Sequence, residues 1–187
     1  DGIRDSVASR GLGDVYKRQL TESIEAGVNS IEHGTFLHKF PESLDLMAKK
    51  SIFFTPTFSV YRHHAEKGTH HGKRRAQEKA LDHKKSLMAA INSGVKVAAG
   101  TDAGGWLHGN NAEELTALVE AGMTPSQALQ SGTITAAECI GLDGELGSLS
   151  PGKIADLVVL NKDPLQSIES LEFGKSVSLV MKSGLII

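Results

Sequence analysis

From Leu20 onward the chain alternates between a helical and a strand-like spacing of apolar residues. LTESIEA reads as the last turns of a helix and is stopped by Gly27, the usual place for glycine just past a helix C-terminus. VNSIEHG then has the pattern of a short strand. Pro41 opens PESLDLMAKK, a helix with Leu44, Leu46 and Met47 as apolar positions and a basic end that suits the helix dipole. The β-branched and aromatic run SIFFTPTFSVY predicts a strand ending near Pro56. A polar, basic loop is expected from Tyr61 to about Lys73. RRAQEKALDHKKSLMAAINS predicts a long amphipathic helix closed by Gly94, and VKVAAGTD another strand.

Beyond Asp102 the pattern predicts three helices, in NAEELTALVEAG, TPSQALQSG and TITAAECIGL. The second has Thr124 as N-cap and Pro125 at its first position. GELGSLSPGKIADLVVL is turn-rich and leads into a strand, and SVSLVMKSGLII predicts a β-hairpin turning near residues 182–184. The segments IEAGVNSIEHG and INSGVKVAAGTD echo each other: helix end, glycine, valine, strand, then a small residue beside an ionisable one. Strands separated by helices of this length imply parallel βα units with right-handed crossovers. Ligands of such sheets bind beyond the C-terminal strand ends, where both His33 and Asp102 fall.

The first nineteen residues fit neither period. Asp1–Asp5 and Ser9–Gln19 match the translation of a short-read sequencing adapter, with three codons of index between them. Residues 1–19 are therefore expected to be adapter-derived and non-native, with the natural sequence entered at Leu20 and ligands upstream of it missing. Residues 20–145 are expected to hold the α/β part and 146–187 a C-terminal β segment.

Composition narrows the class. A formal charge of −2 gives no electrostatic case for nucleic acid or a membrane surface. No apolar run approaches the ~20 residues of a membrane span. Cys139 is the single cysteine, which excludes an internal disulfide framework and fits a reducing, cytoplasmic setting.

The chemistry centres on the strand ends. His33 is a metal-ligand candidate, while the alternation of strand side chains turns Glu32 toward the helix layer. Asp102 lies in GTDAGG, whose small residues let a substrate approach the backbone closely. A carboxylate there can bind metal and accept a proton from water; the bland alternative is an Asp capping the next helix. His63, His64, His70 and His71 are expected in a solvated loop, and His38 and His83 to be exposed. His108, six residues after Asp102 on the same loop, is a substrate-contact candidate.

IEHG, GTDAG, HGNNAEELTALVEAGMTPSQAL, GSLSPGKIADLVVL and the closing VMKSG together resemble the amidohydrolase superfamily. Within it, the imidazolonepropionase-like and Xaa-Pro or Xaa-Arg dipeptidase-like members are the nearest in look. The resemblance covers Leu20 to Ile187. It implies an α/β fold: a partial (β/α)8 TIM barrel, about strands six to eight, followed by the C-terminal part of a small β-sandwich domain. It further implies one or two divalent metal ions, usually zinc. His33 maps onto the strand-six metal ligand, and Asp102 onto the strand-eight aspartate that binds metal and shuttles the proton of the attacking water. The HxH pair, the bridging lysine and the strand-five histidine of the family have no counterpart here.

The implied activity is metal-dependent hydrolysis of an amide or cyclic amide C–N bond, in a dipeptide, N-acyl amino acid or lactam-like small molecule. No nucleic-acid or membrane partner is expected, and a homo-oligomer is compatible with the chain. The 187-residue piece itself is expected to be inactive, because a catalytic zinc takes about three protein ligands. A non-catalytic binding module and a deaminase or phosphotriesterase-type reaction remain as alternatives.

Overall fold

In the computed structural model, which describes residues 16–104, 108–172 and 175–187, three chain segments run parallel and are joined by helices. Of the segment expected to be adapter-derived, residues 1–15 lie outside the described residues. Residues 16–19 form the first turn of helix α1, residues 16–25. Strand β1, Ser30–Glu32, follows. A 3-10 turn at Leu37–Lys39 leads into α2, Pro41–Lys49, with its proline in the first turn as expected. Strand β2, Phe53–Thr55, pairs parallel with β1 in the register Ser30 to Phe53, Ile31 to Phe54 and Glu32 to Thr55.

The strand in SIFFTPTFSVY ends at Thr55, next to Pro56 as expected, because Pro56 cannot donate to the ladder. One expectation for this stretch needs correction. Tyr61–Lys73 is no loop: α3 spans Phe58–Lys67 and α4 spans His70–Asn92, with Thr69 accepting from the Gly72 amide as N-cap. Val97 then bridges Phe54 in parallel. Phe54 N donates to Lys96 O at 2.9 Å and Ala98 N donates to Phe54 O at 3.0 Å, so VKVAAGTD forms one ladder rung rather than a full strand.

The spatial order is β1, β2, then the Val97 segment. Phe54 at its centre is fully buried, together with Ile24, Leu37, Leu44, Met47, Leu87 and Leu118 from the surrounding helices. Burying a side chain of this size contributes about 1.5–3 kcal/mol. The core thus lies between a small parallel sheet and helices α1, α2, α4 and α5.

Helices α5 (Glu113–Ala121), α6 (Pro125–Ser131) and α7 (Ile134–Cys139) complete this part. The expected cap of α6 is present as a reciprocal pair. Thr124 Oγ1 accepts from Gln127 N, and the Gln127 side chain accepts from Thr124 N.

The C-terminal residues form an antiparallel sheet of β3 (Leu157–Leu160), β4 (Val177–Lys182) and β5 (Leu185–Ile186), in that order. Ser183 and Gly184, both at positive φ, turn the β4–β5 hairpin where the sequence placed it. Asp156 holds that turn by accepting from Ser183 N at 2.7 Å and pairing with Lys182. A second sheet facing this one is not among the described residues. Among the described residues no helix is long and apolar enough to cross a membrane.

Candidate active site

Each parallel segment ends in a residue with left-handed backbone: His33 (φ 64°) after β1, Thr57 (φ 57°) after β2, and Asp102 (φ 52°) after the Val97 segment. A β-branched residue is rarely found there, and such strain costs about 1–3 kcal/mol and gathers at functional sites. His33 N donates to Thr55 O at 2.8 Å, extending the ladder one step past β1. Its ring Nδ1 lies 2.8 Å from Thr57 Oγ1, which engages one nitrogen and fixes the ring plane. The side chains of His33 and Asp102 are exposed at the same end of the sheet, on either side of β2. They make no direct hydrogen bond with each other among the described residues.

Two motif glycines are required by packing. A Cβ at Gly34 would stand 2.6 Å from Phe54 Cε2, and Gly34 has φ 51°. A Cβ at Gly100 would stand 2.4 Å from Thr55 Cγ2. The glycines beside His33 and Asp102 therefore let the strand ends close against β2.

Beneath the strand ends lies a polar layer that the sequence reading missed. Glu114, on α5, is fully buried and accepts from Phe58 N and Ser59 N, both at 2.7 Å. It thereby caps α3, whose preceding residue Thr57 makes no side-chain cap. Burial pushes the Glu114 carboxyl up to about 7, against the opposing pull of the Ser59 and Phe58 hydrogen bonds and Arg62.

His83, expected to be exposed, is instead wholly buried. Its Nε2 lies 2.6 Å from Pro56 O and so donates to that carbonyl. Its ring packs 4.3 Å from Phe58 and 4.7 Å from Tyr61, centroid to centroid. Burial pushes its pKa down to about 4, opposed by the Pro56 hydrogen bond and helped by His33. His38, also expected to be exposed, is half-buried with Nδ1 2.8 Å from Ser86 Oγ. In both α4 and α5 a helical stripe carried the missing signal. Ala76, His83, Leu87 and Ala90 line one face, and Glu114, Ala117, Leu118 and Ala121 another.

A cavity of about 680 Å³ opens between α3 and the start of α5, lined by Ser59, Arg62, His63, His108, Asn110 and Glu113 among others. His108 is exposed on its rim. Arg62 lines it and pairs with Glu113 at 3.8 Å and more closely with Glu120. Ser59 Oγ donates to Thr101 O at 3.4 Å, tying the cavity wall to the residue before Asp102. Of the remaining histidines, His63 and His64 sit on α3 and His70 and His71 on α4 rather than in a loop. Asp102 does not cap the next helix; Ala112 occupies the N-cap position of α5.

The donor types at the strand ends, one imidazole and one carboxylate, suit a divalent cation. A partner on Nδ1 that leaves Nε2 available is the usual arrangement of a ligating histidine. Among the described residues, however, no group of three or more His, Cys, Asp or Glu stands close enough to hold a metal. His33 and Asp102 thus fit in kind and supply part of a ligand set.

Residues 17–187 match the model of the Amidohydrolase family. Ochratoxinase of Aspergillus niger is 33% identical over 174 residues, which cover 90% of this chain and 35% of that protein. A crystal structure of a Xaa-Pro dipeptidase with methionine in its active site superposes with a TM-score of 0.79 at 35% identity, over 90% of this chain and 42% of that one. A prolidase complexed with N-methylphosphonate-L-proline gives a TM-score of 0.81 at 30% identity, over 91% and 42%. The chain spans about a third of the length of the curated relative it matches over most of its own.

Proposed function

The chain belongs to the amidohydrolase family, and on that premise we propose that it carries the His33–Asp102 part of a metal-dependent site that hydrolyses an amide or cyclic amide C–N bond. The observation that carries this reading is the placement of His33 and Asp102, both on left-handed backbone, at the same end of neighbouring parallel segments. The dipeptidase, prolidase and ochratoxinase relatives support a small amide substrate, such as a dipeptide, an N-acyl amino acid or a lactam.

In this reading His33 presents Nε2 to a divalent ion, probed first with zinc, while Nδ1–H donates to Thr57 Oγ1. Such an ion, when bound, lowers the pKa of water toward ~7 and so makes a nucleophile available at neutral pH. Asp102 accepts the proton of the attacking water and returns it to the departing nitrogen. His108 and Arg62 face the cavity where the rest of the substrate would lie. Two donors are fewer than the three that a catalytic zinc commonly takes, so in this reading His33 and Asp102 form part of a ligand set and residues 1–187 alone do not turn over substrate.

The test is a panel of dipeptides, N-acyl amino acids and lactams, offered to the complete gene product with and without zinc. Hydrolysis lost in both H33A and D102A supports the reading. Full activity in either variant contradicts it.

A further inference from the structure

The segment 56–59 touches His33 and the residue before Asp102, and Glu114 holds its backbone. Thr57 Oγ1 meets His33 Nδ1 at 2.8 Å. Ser59 Oγ reaches the carbonyl of Thr101, next to Asp102, at 3.4 Å. The residues between and beside these contacts, Phe58 and Ser59, give both their amide protons to Glu114. Glu114 is fully buried and comes from a different helix, and among the described residues it makes no hydrogen bond to His33 or Asp102.

The strain of Thr57 sharpens the point. A threonine at φ 57° is held only where its surroundings over-determine it. Glu114 does so by fixing the two amides that follow, and the Pro56 carbonyl is fixed in turn by His83.

We propose that Glu114 is a positioning residue for the whole site: through the Phe58 and Ser59 amides it sets the hydroxyl of Thr57 against His33 and the hydroxyl of Ser59 against the Thr101 carbonyl, next to Asp102. This rests on reading His33 and Asp102 as the site, but it concerns geometry that exists before any metal or substrate binds. Ionised, as it is above about pH 7 where the test is made, the Glu114 carboxylate offers an acceptor oxygen to each amide. Glutamine keeps the shape and offers only one, leaving the other amide buried against an NH2 group.

The test is made on the isotope-labelled 187-residue chain by comparing E114Q and S59A with the parent. In E114Q, amide exchange at Phe58 or Ser59 should quicken about tenfold or more, the usual effect of losing a hydrogen bond to a charged group. The His33 ring should move at the same time from the Nδ1–H tautomer toward a mixture, read from long-range proton–nitrogen correlations. In S59A, the Thr101 and Asp102 backbone signals should shift while the His33 tautomer stays. Faster exchange in E114Q with an unchanged His33 tautomer and unchanged Asp102 signals would overturn the proposal and leave Glu114 a simple helix cap. Should E114Q unfold, the parent decides: scalar couplings from the Phe58 and Ser59 amides to the Glu114 carboxyl, with a single His33 tautomer, support it, and their absence refutes it. If His33 responds to E114Q but the complete product hydrolyses nothing, the hydrolase reading fails while the positioning role stands.

Discussion

Glu114 and His83 both hold the backbone of the β2–α3 junction and pull on stability in opposite directions as pH changes. Glu114 has its pKa raised from 4.5 to about 7 by burial. The folded chain therefore binds this proton more tightly than the unfolded chain does. The corresponding stability is fully present below about 4.5 and is lost as pH rises through about 7. At about 1.4 kcal/mol per unit, the loss amounts to about 3 kcal/mol. His83 has its pKa lowered from 6.5 to about 4, again by burial. Its contribution is present above about 6.5 and is lost as pH falls through about 4. That change too is about 3 kcal/mol.

Over pH 4–7 the two nearly cancel, so the parent chain should show little pH dependence from this pair. E114Q removes the falling part and exposes the rise owed to His83, whereas H83Q exposes the fall owed to Glu114. The assay is urea unfolding from pH 4 to 8. With a slope of about 1–3 kcal/mol/M, a change of this size moves the midpoint difference between parent and variant by about 1–3 M across that range. Stability–pH curves for parent and E114Q that run parallel would refute the claim that Glu114 is desolvated in the folded chain.

Other substitutions test separate links. G100A drives a Cβ into Thr55 Cγ2 and should cost about 1–3 kcal/mol in the same urea assay; T55S should relieve much of that cost if the clash is the cause. T124A deletes one half of the α6 capping pair and should cost about 1 kcal/mol, measured as a lower midpoint with an unchanged slope. In the complete gene product, T57V should weaken zinc affinity about 10- to 100-fold in competition with a chelator, because the ring of His33 loses its Nδ1 partner.

What the sequence disclosed follows from where local rules decide the outcome. Thr124–Pro125 opens α6 because capping is local chemistry, and Ser183–Gly184 turns the last hairpin for the same reason. IEHG and GTDAG marked strand ends because strand and helix periods change there. Helix α3 was hidden because its N-terminus is capped from another helix, by Glu114, 55 residues away from Ser59 in the chain. His83 was misread because its neighbours Asp82, Lys84 and Lys85 are charged, while its own helical stripe is apolar. Glu114 was passed over because an acidic residue in a first helical turn ordinarily needs no explanation beyond the helix dipole. In each case a long-range contact overrode what the nearest residues indicated.

The most direct test of the central claim, that the strand ends hold a metal, is a zinc titration of the labelled 187-residue chain followed at every histidine and aspartate. Weak binding is expected, in which His33 Nε2 and the Asp102 backbone shift together with Nδ1–H of His33 retained, and both responses are lost in H33A. Zinc shifts confined to His63, His64, His70 and His71 on α3 and α4, with His33 and Asp102 silent, would contradict it.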